Sequence, residues 1–163
     1  GKSEVARRIA PLLSPPPGAV VLRSDVLRKD MHGVAETERL PAQAYAPEIT
    51  ARVYAALAES AGLIARAGYS VIVDAVFARA DERDLIRAAT KAAGVAFIGV
   101  MLRARLATRL DRIGARARDA SDADAAVARR QEDYDIGACD WAAIDAEGPP
   151  GDVAARVRAR IAP

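Results

Sequence analysis

Gly1-Lys2-Ser3 runs directly into a helical pattern. The tripeptide is the close of the phosphate-binding loop G-x-x-x-x-G-K-[ST]. In such a loop, backbone N–H groups at a helix N-terminus cradle phosphate oxygens. The Lys reaches the β- and γ-phosphates and the Ser hydroxyl holds Mg²⁺. A G-K-[ST] tripeptide arises by chance in about one chain in ten of this length. Its place before an amphipathic helix is therefore what gives the match its weight.

Three further groups have residue types that fit phosphate chemistry. Arg23-Ser24-Asp25-Val26-Leu27-Arg28 follows the apolar run Ala19–Leu22. A carboxylate just past a strand end can accept the proton of an attacking hydroxyl. Arg28, one helical turn on, shares its face and can steer that carboxylate or an anionic acceptor. The same residues also read as an ordinary helix start, with Ser24 as cap and Asp25 facing the positive end of the dipole. Val71-Ile72-Val73-Asp74 is an apolar strand ending in an acid, the arrangement that aims a carboxylate at Mg²⁺ or its waters. A loop-capping Asp has the same pattern. Arg109, Arg112 and Arg116 are three and four apart, on one helical face. Stacked like charges repel, and an anion between them resolves the repulsion, as under a lid over a nucleotide; a solvated basic face is the alternative. Cys139 has no partner for nucleophilic catalysis except distant His32, which reads as structural or substrate-lining. Asp119 to Asp124 lacks the Gly and terminal Glu of a Ca²⁺ loop, and helix capping explains it better.

The elements that must position these groups alternate. Helices are expected over 3–10, from Ser24 to about 31, over Pro47–Ala67, Asp81–Ala93 and Leu106–Arg118, from a Ser121/Asp124 capping box to Tyr134, and over Val153–Ile161. Strands are expected at 19–22, 71–75, Val95–Leu102 and, weakly, Trp141–Asp145. Alternation of this kind predicts an α/β fold, a parallel β-sheet sandwiched by helices. Ligands of such sheets bind beyond the carboxyl ends of the strands, which is where Asp25, Asp74 and the Arg-rich segment fall. If Gly1–Ser3 close a phosphate loop, a fifth strand belongs upstream, between those ending at Asp74 and Leu102.

The 163 residues suffice for one domain with a real core. With 52% hydrophobic and 28% charged residues the chain reads as globular, and with 4% aromatics its core is expected to be aliphatic and Ala-rich. A net charge of +2 suits anionic ligands and is too mild to argue for nucleic acid. No apolar run has the length of a membrane span. One Cys and one His leave no disulfide framework and no His-rich metal cluster, and a reducing, cytoplasmic setting is the expectation.

Taken together, "GKS", "LRSDVLRKDMHG", "SVIVDAVFARADER" and "RLDRIGARARDASDADAAVARRQ" occur in the order and spacing of a small P-loop kinase. The chain resembles the ATP-binding kinase-like domain often fused behind an aminoglycoside-phosphotransferase-like domain. It is more distantly similar to the kinase domain of polynucleotide kinase, to gluconate kinase and to zeta-toxin-type kinases. The resemblance implies a P-loop NTPase fold of the AAA-like kind, an Arg-rich helical lid over about 106–132, and a single domain over 1–163 lacking its first strand and most of its loop. It implies ATP and Mg²⁺ as cofactors and a small-molecule hydroxyl as acceptor. Gly1, Lys2 and Ser3 would bind the phosphates, with Ser3 and Asp74 toward the metal. Asp25 would be the general base and Arg28 its D-x-x-R partner. Arg112 and Arg116 would be the paired lid arginines. Two other readings stay open: a polynucleotide 5′-hydroxyl kinase, which this aromatic-poor chain does not advertise, and a nucleotide-binding regulatory module of a fused protein.

Overall fold

A computed structural model describes residues 1–115 and 120–162. Seven helices and four strands are described: α1 (Lys2–Ile9), β1 (Val20–Arg23), α2 (Ser24–Met31), α3 (Pro47–Arg66), β2 (Val71–Asp74), α4 (Ala80–Ala92), β3 (Val100–Arg103), α5 (Leu106–Gly114), α6 (Ala125–Arg130), β4 (Ala142–Asp145) and α7 (Pro150–Ile161). The fold is α/β with parallel strands and helices.

Strand pairing takes the form of two parallel pairs. β1 lies beside β2 with Val20 opposite Val71 and Arg23 opposite Asp74. β3 lies beside β4 with Val100 opposite Ala142 and Arg103 opposite Asp145. Among the described residues the four strands form two ladders. Side chains alternate across a strand, and β2 shows the consequence. Val71 and Val73 pack on a core built from Val53, Tyr54 and Leu57 of α3 with Ile86 of α4. Ile72 points the other way, into a second core with Val5 and Ile9 of α1 and Val153 and Val157 of α7. Val100, Leu102 and Ile144 join that second core. Helices therefore cover both faces, and α1 is the element that β2 and the second ladder share.

Several local expectations change. The third strand is confined to 100–103, and Val95 to Gly99 lie outside it. A Cβ at Gly99 would overlap the Trp141 indole, so close packing of this approach requires glycine. Ser24 is the first residue of α2, with Arg23 in the capping position. The helix expected from Ser121 starts at Ala125; its cap is Asp124, whose carboxylate accepts from Val127 N. The last part of the Arg-rich helix, with Arg116, lies outside the described residues. The core is Ala-rich as expected, but it also holds a chain of edge-to-face rings, Tyr54 to Phe77 to Trp141, with centroids 5.2 and 5.1 Å apart. Few aromatics are present, and three of them stand behind the loop that follows β2. Among the described residues, no helix is long and apolar enough to cross a membrane.

Candidate functional site

The carboxyl ends of β1 and β2 bring together Arg23 and Asp74, register partners on adjacent strands. Arg23 Nε lies 3.6 Å from Asp74 Oδ2, and both side chains are almost buried, at 14% and 5% exposed. The loop after Asp74 is held rigidly. Phe77 adopts a φ of +50°, rare for a residue with a Cβ. Its N–H donates to Tyr54 Oη at 3.0 Å. The buried Arg83 guanidinium donates to the Phe77 and Ala78 carbonyls, each at 2.9 Å, and to that of Ile136 at 2.7 Å. Strain of this kind persists only where packing over-determines it, and here it fixes the exit from the strand that carries Asp74.

Asp25, in the first turn of α2, sits at the same strand ends. Burial pushes its carboxyl above the usual carboxylate range, against the opposing pull of the nearby Lys2 ammonium and of a hydrogen bond from the Ser121 hydroxyl; nearby Asp74 adds to the rise. A carboxylate with a raised proton affinity is the property a general base needs. The structure thus brings Lys2, Asp25 and Asp74 into one electrostatic neighbourhood.

Arg28 is buried, donates from NH1 to the Ala44 carbonyl at 2.7 Å, and stacks 4.8 Å from the Tyr45 ring centroid. Its visible contacts are to the loop of residues 33–46. Lys29, next in sequence, is fully buried. Its ammonium donates to the Glu36 carbonyl at 2.7 Å and to Asp122 Oδ1 at 3.0 Å. Asp122 also accepts from Leu40 N at 3.0 Å and Tyr45 Oη at 2.7 Å. Burial of the Asp122 carboxylate opposes its ionisation. Hydrogen bonds from Tyr45, Leu40 and Lys29 outweigh that effect and hold the carboxyl below its usual range.

On the opposite side, Gly1 is the N-cap of α1, and Lys2 and Ser3 form its first turn. Lys2 is exposed and Ser3 half-buried. A cavity of about 290 Å³ opens here, lined by Gly1, Ser3, Leu102, Arg112, Ala146 and Val153. Arg112, on α5, reaches across it. NH2 donates to the Ala146 carbonyl at 2.8 Å and the Gly148 carbonyl at 2.7 Å. NH1 lies 3.4 Å from where a Cβ on Gly1 would stand. The start of α5 is pinned by Glu147, which accepts from Thr108 Oγ1 and Arg105 N, both at 2.6 Å. Those two bonds push the Glu147 carboxyl down to about 2. Arg109 turns away to Glu132 and the Ala128 carbonyl, joining α5 to α6. A second hollow, of about 360 Å³, lies between α3 and α4 and is lined mainly by Ala and Gly, with Glu59 and Arg66 among its lining residues.

Of the residues singled out in the sequence, Gly1, Lys2, Ser3 and Arg112 surround one side of the site and Asp25, Arg28 and Asp74 the other. Arg116 lies outside the described residues. Sequence reasoning missed Asp122, Ser121, Lys29 and Glu147. Asp122 was hidden in an acidic run that capping already explained, and its partners lie 77 to 93 residues away in sequence. No local spacing signals such contacts.

The donor set fits the expected ligands. A hydroxyl and a carboxylate, Ser3 and Asp74, are hard oxygen donors of the type Mg²⁺ prefers. The amide-rich start of α1, with Lys2 and Arg112, suits phosphate. Residues 1–134 match a family model described as an AAA domain. No curated protein sequence matches the chain significantly. Among solved structures, the fold is similar to that of a gluconokinase from Sinorhizobium meliloti 1021, with a TM-score of 0.64 and 19% identity over 98% of this chain and 83% of that one.

Proposed function

The chain belongs to the AAA-domain family, and from that premise we propose that it is an ATP-dependent phosphotransferase that moves the γ-phosphoryl group to a hydroxyl of a small molecule. The observation that supports this most is Asp25. A nucleotide-binding module with no acceptor has no use for a carboxylate whose proton affinity is raised by burial beside the phosphate-binding lysine.

In this reading Lys2 and the first-turn amides of α1 bind the phosphates, and Ser3 and Asp74 hold Mg²⁺. Bound Mg²⁺ neutralises charge on the β- and γ-phosphates. Arg112, which lines the cavity beside Gly1, would act as a lid arginine, and Arg116 is assigned by spacing as its companion. Asp25 orients the acceptor hydroxyl and takes its proton as the oxygen attacks. Arg28 acts on the acceptor through the loop it braces, with its guanidinium committed to Ala44 and Tyr45. The Sinorhizobium protein's title names a gluconokinase, and sugar acids accordingly join sugars, nucleosides and aminoglycosides as acceptors to test.

The test is Asp25→Asn, which keeps shape and one acceptor oxygen but removes the base. In a phosphoryl-transfer assay with the acceptor that the parent phosphorylates, the rate should fall by about 10²–10⁴-fold, with affinity for a non-hydrolysable ATP analogue nearly unchanged. Transfer at the parental rate would remove Asp25 from the mechanism. Nucleotide binding by the parent with no transfer to any acceptor class would favour the regulatory module.

A further inference from the structure

The polar groups around Asp122 form a continuous path between the two sides of the site. On the nucleotide side, Arg112 of α5 faces Gly1. Arg109 of the same helix bonds to α6 through the Ala128 carbonyl and Glu132. The N-cap of α6 is Asp124, which also pairs with Arg39 at 2.7 Å. Two residues earlier Asp122 receives Lys29, Leu40 N and Tyr45, three separate points of the loop that Arg28 braces. Ser121, the residue before Asp122, neighbours Asp25 itself.

The energetics of this contact are lopsided. Lys29 is the most deeply buried charge among the described residues, 0% exposed. A buried ammonium left without its carboxylate keeps its desolvation cost and loses its compensation. The loop of residues 33–46 and the segment of residues 120–124 can therefore hold their present arrangement only together. Either they are docked, with Lys29 satisfied by Asp122, or the loop must open far enough to hydrate the ammonium. That is a two-state element, and the polar path on which it lies runs from Arg112 beside Gly1 to the loop of residues 33–46.

We infer that Asp122 is a positioning residue: it latches residues 120–124 of the lid onto the loop of residues 33–46, so that nucleotide binding under the lid orders the acceptor side before the acceptor arrives. This rests on the nucleotide-binding reading above. The latch acts through Asp25, Lys29 and Tyr45 and touches neither reacting atom. It gives the enzyme a reason to hold its base competent only when a nucleotide is in place, which limits transfer of the phosphoryl group to water.

Hydrogen exchange followed by mass spectrometry, with and without Mg²⁺ and the non-hydrolysable analogue AMP-PNP, tests it. In the parent, nucleotide should slow exchange in residues 1–9 and, by about tenfold, in residues 33–46. In Asp122→Asn the protection of 1–9 should persist while the nucleotide-dependent gain at 33–46 disappears. A merely structural Asp122 would lower protection at 33–46 equally with and without nucleotide, leaving the gain intact. Tyr45→Phe removes one of the three bonds without stranding a charge and decides the matter should Asp122→Asn not fold. Its gain should shrink by about threefold, and an undiminished gain overturns the latch. Protection at 1–9 without any gain at 33–46 in the parent also overturns it and leaves the nucleotide site standing. Absence of protection at 1–9 in the parent overturns the nucleotide reading itself.

Discussion

Both parallel strand pairs end on an arginine opposite an aspartate: Arg23 with Asp74 on the first ladder, Arg103 with Asp145 on the second. The sequence favours the first, because Asp74 closes an apolar run while Asp145 closes a weak strand. Around Asp74, α1 delivers Lys2, α2 delivers Asp25 and the strained loop at Phe77 fixes the chain, so the Arg–Asp pair is buried and surrounded by other charges. Around Asp145, both side chains of the pair are exposed. The Asp145 carboxylate is spent on a local turn, accepting from Glu147 N at 2.9 Å. A carboxylate at a strand end becomes part of a site through what converges on it, and here the helices that precede and follow β1 make the difference. The second end has a different task. The carbonyls just beyond β4, at Ala146 and Gly148, hold Arg112 over the cavity.

The largest contrast should be in stability. Asp74→Ala removes a carboxylate that is only 5% exposed and paired with Arg23, and should cost about 3 kcal/mol. Asp145→Ala removes an exposed turn bond and should cost no more than about 0.5 kcal/mol. Urea unfolding of the two variants side by side checks this, and equal losses would erase the distinction between the two ends.

Arg112→Ala sharpens the role given to the second end. Turnover should fall by roughly 10²-fold, a share of what an arginine finger contributes, while nucleotide affinity falls by less, because the guanidinium meets the phosphoryl group most closely during transfer. Steady-state kinetics beside calorimetry separates the two effects. A loss confined to affinity would make Arg112 a ground-state contact.

Asp25→Asn should be more stable than the parent at pH 7, since it removes a buried group that resists ionising. The sign follows from the raised carboxyl. Below the ordinary value of 3.8 both folded and unfolded chains are protonated and Asp25 adds no pH dependence. As pH rises above it the unfolded chain ionises first, and the parent loses stability until the folded carboxyl also ionises. The advantage of the variant should therefore grow from acid toward neutral pH and then level off. Denaturation midpoints from pH 3.5 to 7.5 show whether it does.

The smallest effect belongs to Arg39→Ala. Its pair with Asp124 is exposed, at 70% and 45%, so the loss should be within about 0.5 kcal/mol and vanish in high salt. Lys29→Met acts on the same segment but strands the Asp122 carboxylate, and should cost several times more.

The alternation of strands and helices, and the strand-end positions of Asp25 and Asp74, were legible because each follows from local periodicity. Val71-Ile72-Val73-Asp74 is apolar on both faces because helices cover both. Which strands pair, β1 with β2 and β3 with β4, was not legible, since pairing is decided between strands far apart in sequence. Ser24 and Ser121 look like caps, yet Arg23 and Asp124 hold those positions, because a cap is set by where the backbone turns. Lys29 carries no sign of being fully buried; that depends on Asp122 and Glu36 meeting it from other segments. The polar half of the site is built from such contacts and was visible only in the fold.

The central claim, that Gly1-Lys2-Ser3 and Arg112 receive the phosphates of a nucleotide, is tested most directly by calorimetric titration of the parent and Lys2→Ala with Mg²⁺ and AMP-PNP. Lys2 is exposed and carries no packing role, so its loss leaves the fold intact and reports on the ligand alone. The parent should bind with one-to-one stoichiometry, and Lys2→Ala should bind about 10–100-fold more weakly, the worth of a charge-assisted contact to the β- and γ-phosphates. Equal affinity in the two proteins, or no binding by the parent, would contradict the account.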